Sequence, residues 1–178
     1  FLFSIPVITA GAATTSLYQF TLKQADDEEG YVFKSFVRAF TKNFKQATIL
    51  WLLVLAAAGF LAVDLWACMQ IAIPSWVRVV CFGVLLCLSL IFALTALYLF
   101  PVLSRFHLPI KTILPHSFIM AMGNLYISVT VLVTYIIFGV LSFYIPILFP
   151  VFMALAAFIS SYLFRYVFTR YQEDGEDQ

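Results

Sequence analysis

Long apolar stretches alternate with short polar ones along this chain. Ala47 to Leu65 is interrupted only by Thr48 and Asp64, and Val79 to Val102 carries no charge. Asn124 to Phe168 contains one charge, Arg165, and is too long for a single crossing. A bilayer core of roughly 30 Å needs about 20 largely apolar helical residues. Phe143, Tyr144, Ile145 and Pro146 divide the third stretch near its middle, and proline ends the helix before it. The pattern therefore predicts four spans, 47–65, 79–102, 124–143 and 147–168.

The first residues predict a fifth, N-terminal span. Phe1 to Val7 reads as the end of an apolar helix stopped near Pro6, and its apolar start predicts a preceding segment. No basic n-region or A-x-A-like site marks it as a signal peptide. Thr9 to Ser16 are all small (Thr, Ala, Gly, Ala, Ala, Thr, Thr, Ser). Small residues let helix backbones approach closely in a membrane. Close packing is the preferred reading; a narrow polar path is the alternative.

A different periodicity occupies 31–46. Phe33, Phe36, Val37, Phe40 and Phe44 fall on one helical face, with Lys34, Arg38, Lys42 and Lys45 on the opposite one. The run Asp26 to Glu29 precedes this helix, where carboxylates favour the positive end of its dipole. A basic helix with an aromatic face is predicted to lie in the headgroup plane. Each basic residue near an anionic leaflet adds about 1 kcal/mol. The segment is read first as an interfacial anchor, with a docking surface for a partner protein and a ligand-binding role as the alternatives. Ile110, Ile113, Leu114, Phe118 and Met122 predict a second, weaker amphipathic face, disturbed by Pro115.

Composition changes the picture little. Of 178 residues, 63% are hydrophobic and 11% charged, with mean hydropathy +1.01. A soluble domain has about 25% charged residues. These values exclude a secreted disulfide scaffold, a disordered tail and an ordinary cytosolic enzyme. The expected architecture is all-α: a polytopic transmembrane helix bundle forming one integral membrane domain, 1–178, with an acidic tail at 172–178.

Charge placement is more informative than its amount. The net charge of +1 gives no basic field for nucleic acid. All basic residues except Arg78 fall in segments on one side of the four-span arrangement. By the positive-inside rule that side, with the C-terminus, is cytoplasmic. Trp66 and Trp76 toward one end, and Tyr162, Tyr166 and Tyr171 toward the other, suit interfacial belts. Asp64 and Arg78 lie at similar depth near the outer side, and are expected to form an ion pair between two helices.

Candidate chemistry is sparse. No GxSxG, HExxH, P-loop or GxGxxG occurs, and the chain lacks a carboxylate pair within its apolar stretches. His107 and His116 have no metal spacing, and Cys68, Cys81 and Cys87 read as small packing residues. Ser89, Thr95, Ser128, Thr130, Thr134, Ser160 and Ser161 are expected to make interhelical hydrogen bonds. No catalytic, cofactor or metal residue is predicted, and the chain is not expected to be an enzyme.

The stretches IPVITAGAATTSLYQFTLK (5–23) and DEEGYVFKSFVRAFTKNFKQATILW (27–51) resemble the YesL family of small bacterial membrane proteins. The likeness is specific over about the first 50 residues; beyond residue 52 only the hydropathy profile agrees. The resemblance implies a link to carbohydrate uptake, because the family's genes commonly lie beside those of ATP-binding-cassette importers and sugar-responsive sensor kinases. It supplies no catalytic residues. The resulting expectation is a non-catalytic accessory or scaffold subunit of such an importer in a bacterial plasma membrane. Its partners are then the lipid bilayer and the importer's transmembrane subunits. The alternatives are a small transporter or channel in its own right, and a partner of a sensor kinase.

Overall fold

The computed structural model describes the backbone of residues 4–25, 32–71, 74–106 and 109–176, and the side chains of 10–24, 44–71, 74–106 and 109–171. The described chain is helical throughout, with six α-helices in the order α1 (Ser4–Ala25), α2 (Val32–Gln70), α3 (Ser75–Phe106), α4 (Ile110–Gly123), α5 (Leu125–Tyr144) and α6 (Phe149–Glu176). A single 3-10 turn, Pro146–Leu148, joins α5 to α6. Four helical stretches are long and apolar enough to cross a membrane: Phe44–Gln70, Ser75–Phe106, Leu125–Tyr144 and Pro146–Tyr171. They contain three of the four expected spans whole and the third but for Asn124, and the break falls at Pro146. The protein is an all-α polytopic helix bundle in contact with lipid.

Three elements differ from the sequence expectation. Pro6 does not stop a helix; it sits in the first turn of described α1, where a missing N–H leaves no internal bond unmade. Residues 31–46 do not form an element of their own. The backbone of 32–46 is continuous with the first span in one 39-residue helix, α2. At 1.5 Å per residue it is about 58 Å long, nearly twice the hydrocarbon thickness. Helix α4 runs through Pro115, but the face it buries is Ile113, Ser117, Met120 and Ala121, while Leu114 and Phe118 are exposed. Apolar character does not mark the inward face when the surrounding solvent is lipid.

The core lies at one end of the bundle. Helices α2 and α3 form an antiparallel hairpin, with Trp51 against Phe100 at 5.9 Å between ring centroids and Cys68 level with Arg78. Helices α5 and α6 form another, with Phe138 against Phe152. Helix α1 packs against α2, α3 and α6. Around it the inner parts of the spans close: Leu50, Tyr98, Leu99, Leu103, Phe164 and Phe168 are fully buried. Between the hairpins α3 meets α5, whereas α2 makes at most marginal approaches to α5 and α6.

The small residues of α1 act in packing. Ala12, Thr15 and Ser16 are buried. A Cβ at Gly11 would lie 2.5 Å from Trp51 Cβ and 2.8 Å from the Ala47 carbonyl oxygen. Only the glycine hydrogen leaves room for this approach of α1 to α2.

Candidate functional site

Two features stand out for function: the basic-aromatic start of α2, and a hydroxyl-lined seam around α1. The side chains of Phe33, Lys34, Phe36, Arg38, Phe40 and Lys42 lie outside the described residues. At the end of that segment Phe44 is half-buried and packs on the core. Lys45 is exposed, and Ala47 is fully buried. At residues 44–47 the apolar face thus points into the bundle and the basic face away from it.

Arg78 has a partner other than the one expected. Its Nη2 donates to the Ile71 carbonyl at 3.2 Å rather than pairing with Asp64. The geometry explains the preference. Ile71 follows the last turn of α2, whose terminal carbonyls lack helical donors. Asp64 lies seven residues earlier, about 10 Å along the helix. A guanidinium in the first turn of α3 meets the carbonyl first.

The seam joins α1 to the rest of the bundle. The Tyr18 and Tyr135 hydroxyls share a hydrogen bond between α1 and α5. Ser161 Oγ donates to Thr21 Oγ1 at 2.6 Å, tying α6 to α1, while Thr21 donates to the Leu17 carbonyl of its own helix. Ser128 Oγ lies 3.1 Å from the Tyr98 hydroxyl and 2.8 Å from the Ala121 carbonyl, linking α5 to α3 and α4. Ser160, next to Ser161 on α6, is fully buried as well. Aromatic rings close the seam: Phe164 packs edge-on against Tyr18 at 5.8 Å and Tyr98 at 4.8 Å, and Phe168 meets Phe106 at 5.4 Å.

Of the hydroxyl residues expected to bond between helices, Ser128 and Ser161 do so. Ser89, Thr95, Thr130 and Thr134 instead donate to carbonyls four residues earlier in their own helices. In lipid this local acceptor is always within reach, whereas a partner helix must be correctly placed. The sequence reading missed Tyr18, Tyr98 and Tyr135. Only Tyr135 is central in a predicted span; Tyr18 and Tyr98 carry no signal in the sequence that separates them from Tyr162 and Tyr166, which are exposed.

The seam offers hydroxyl donors and acceptors, whose ordinary titration lies far from neutral pH. Among the described residues no group of three His, Cys, Asp or Glu is placed to hold a metal ion. Such an arrangement positions helices. The double-mutant cycle Thr21→Val with Ser161→Ala should give a coupling of about 0.6 kcal/mol, the mean for interhelical hydrogen bonds in a membrane protein. Unfolding titrations in mixed micelles measure it, and additive single effects would remove the bond from the account.

The comparisons bear on the same part of the chain. Residues 1–65 match the family described as "Protein of unknown function, DUF624". The chain is 39% identical over 93 residues to "Uncharacterized protein YesL" of Bacillus subtilis (strain 168). This chain is YesL-like. The similarity covers 52% of it and 42% of the Bacillus protein, so the chain matches about two fifths of that relative's length. No solved structure matches. The matched residues 1–65 contain α1 and most of α2, including Gly11 and the Ala47–Trp51 surface it packs on.

Proposed function

We propose that this protein is a non-catalytic accessory or scaffold subunit of a carbohydrate ATP-binding-cassette importer in a bacterial plasma membrane. The observation that carries the reading is the arrangement at the start of the first span. Phe44 and Ala47 pack into the bundle while Lys45 faces outward on a helix whose length exceeds a single crossing. On this reading Lys45 and the basic positions that precede it in the sequence form a cytoplasmic surface, the side that the positive-inside rule favours. Positively charged surface of this kind suits an acidic face of a partner subunit as well as anionic headgroups. The importer itself comes from the YesL-like resemblance.

The seam weighs against a transport path of the chain's own. Its hydroxyls are mostly bonded to one another, and Tyr98, Phe164 and Phe168 fill the space between the inner ends of the helices. Affinity purification of the tagged chain from native membranes in mild detergent tests the proposal. The expected result is copurification of an importer transmembrane subunit; recovery with no importer component counts against it.

A further inference from the structure

Helix α4 is too short to cross a membrane. Its 14 residues extend about 21 Å, against a hydrocarbon core of roughly 30 Å. It joins the inner ends of α3 and α5, and the bundle fixes its level. Ser128 Oγ of α5 donates to the Ala121 carbonyl at 2.8 Å. A Cβ at Gly123 would lie 2.6 Å from the hydroxyl of Tyr171, the residue that ends the span Pro146–Tyr171. Helix α4 thus lies at the membrane surface, on the side where Arg105 ends α3 and Arg170 nears the end of α6.

Three sides of α4 meet three surroundings. Ile113, Ser117, Met120 and Ala121 are buried against the bundle. A second side is polar, with Thr112 half-buried and His116 exposed. On the third, Lys111, Leu114, Phe118 and Met122 follow at intervals of three and four, and so share a stripe. Lys111 is exposed, Leu114 is 42% and Phe118 46% exposed, and Met122 is half-buried. The stripe runs about 16 Å from its cation to its last apolar residue. Helix α4 contains no Asp or Glu.

We infer that this stripe seats an anionic phospholipid of the adjoining leaflet, with its phosphate on Lys111 Nζ and one acyl chain along Leu114, Phe118 and Met122. An amphiphile is the complement of a surface that is cationic at one end and apolar along the rest. The lysine stem lies on apolar surface while its ammonium stays among the headgroups. A helix in the headgroup plane buries its apolar side in the acyl boundary and is drawn to anionic lipid by its basic residues. An acidic soluble protein would pair with Lys111 but leave Leu114 and Phe118 uncovered. Zwitterionic lipid would cover those two without using the charge. Neither this contact nor its test depends on an importer.

The test reads contact at Phe118. The full chain carries Phe118→Trp as its single tryptophan (Trp51→Phe, Trp66→Phe, Trp76→Phe) and is reconstituted in phosphatidylcholine vesicles. Acyl-brominated phosphatidylglycerol or acyl-brominated phosphatidylcholine is added at equal mole fraction, and bromine quenches the indole on contact. The phosphatidylglycerol probe is expected to bind about fivefold more strongly, the worth of one lysine near an anionic surface. Lys111→Gln should bring the two probes level. Arg170→Gln removes the same charge at the other end of α4, off the stripe, and should leave the preference in place. Retention of phosphatidylglycerol by the chain with its tryptophans intact, read by native mass spectrometry, gives a second measure, and Lys111→Gln should lower it severalfold. An unchanged unfolding transition verifies that Lys111→Gln folds. Equal quenching by the two probes, no quenching by either, a preference that survives Lys111→Gln, or an equal loss in Arg170→Gln overturns the inference.

Discussion

Replacing Phe164 with alanine is expected to destabilise the bundle by about 3 kcal/mol, the lower end of the range for a buried Phe→Ala change. Phe164 is fully buried, and its ring touches Tyr18 of α1, Tyr98 of α3 and Phe168 one turn on. One side chain therefore links three helices. The lower end applies because transfer from water to lipid is not part of this cost. The cavity and the lost ring contacts remain. Unfolding by sodium dodecyl sulfate in mixed micelles measures the loss. Phe158→Ala is the comparison, since Phe158 is only half-buried and makes its ring contact within α6, to Tyr162 at 5.1 Å. Equal effects at the two positions would contradict the described core.

Gly11→Ala should separate α1 from α2 rather than open a cavity. The new methyl would stand 2.5 Å from Trp51 Cβ and 2.8 Å from the Ala47 carbonyl oxygen. Neither atom is the far end of a flexible side chain, so the helices themselves must move. Overpacking of this kind costs about 1–3 kcal/mol. Displacement of α1 also strains the Thr21–Ser161 and Tyr18–Tyr135 bonds farther along the same helix. The expected result is a lower unfolding midpoint, together with loss of the Thr21–Ser161 coupling when the cycle is repeated in the Gly11→Ala background. Ala13→Gly, two residues on at a half-buried position, should leave that coupling intact. An unchanged midpoint in Gly11→Ala would show that α1 does not pack on α2 at this point.

What the sequence disclosed follows from which physical signals a lipid solvent preserves. Span existence was legible because apolar length is the requirement for crossing, and Pro146 marked the division between α5 and α6. The inward faces were not legible. Ile113 and Leu114 are both apolar, yet one is fully buried and the other faces out. In water their polarity would have differed. Continuity of α2 was hidden for a related reason. The periodicity changes at residue 46 because the surroundings change, while the backbone remains one helix. The small residues at 9–16 announced close packing but not its partner; the contacts of Gly11 supply it.

The candidate surfaces divide in the same way. The basic-aromatic pattern of 33–45 was readable from spacing, because charge and aromatic residues segregate by face, and Phe44 and Lys45 take the sides it implies. The hydroxyl seam was only half readable. Ser128 and Ser161 could be nominated from their residue type, but a serine that bonds its own helix, such as Ser89, looks the same in sequence. Arg78 illustrates the limit for charges. Similar depth suggested Asp64, whereas the nearer carbonyl of Ile71 takes the hydrogen bond.

The proposed role turns on whether the basic positions ahead of the first span hold an importer. The most direct measurement is copurification from native membranes of the unaltered chain and of the Lys42→Glu, Lys45→Glu variant, compared at equal recovery of the tagged protein. The account predicts an importer transmembrane subunit with the unaltered chain and markedly less of it with the charge-reversed chain. Recovery of the unaltered chain without any importer component would contradict it.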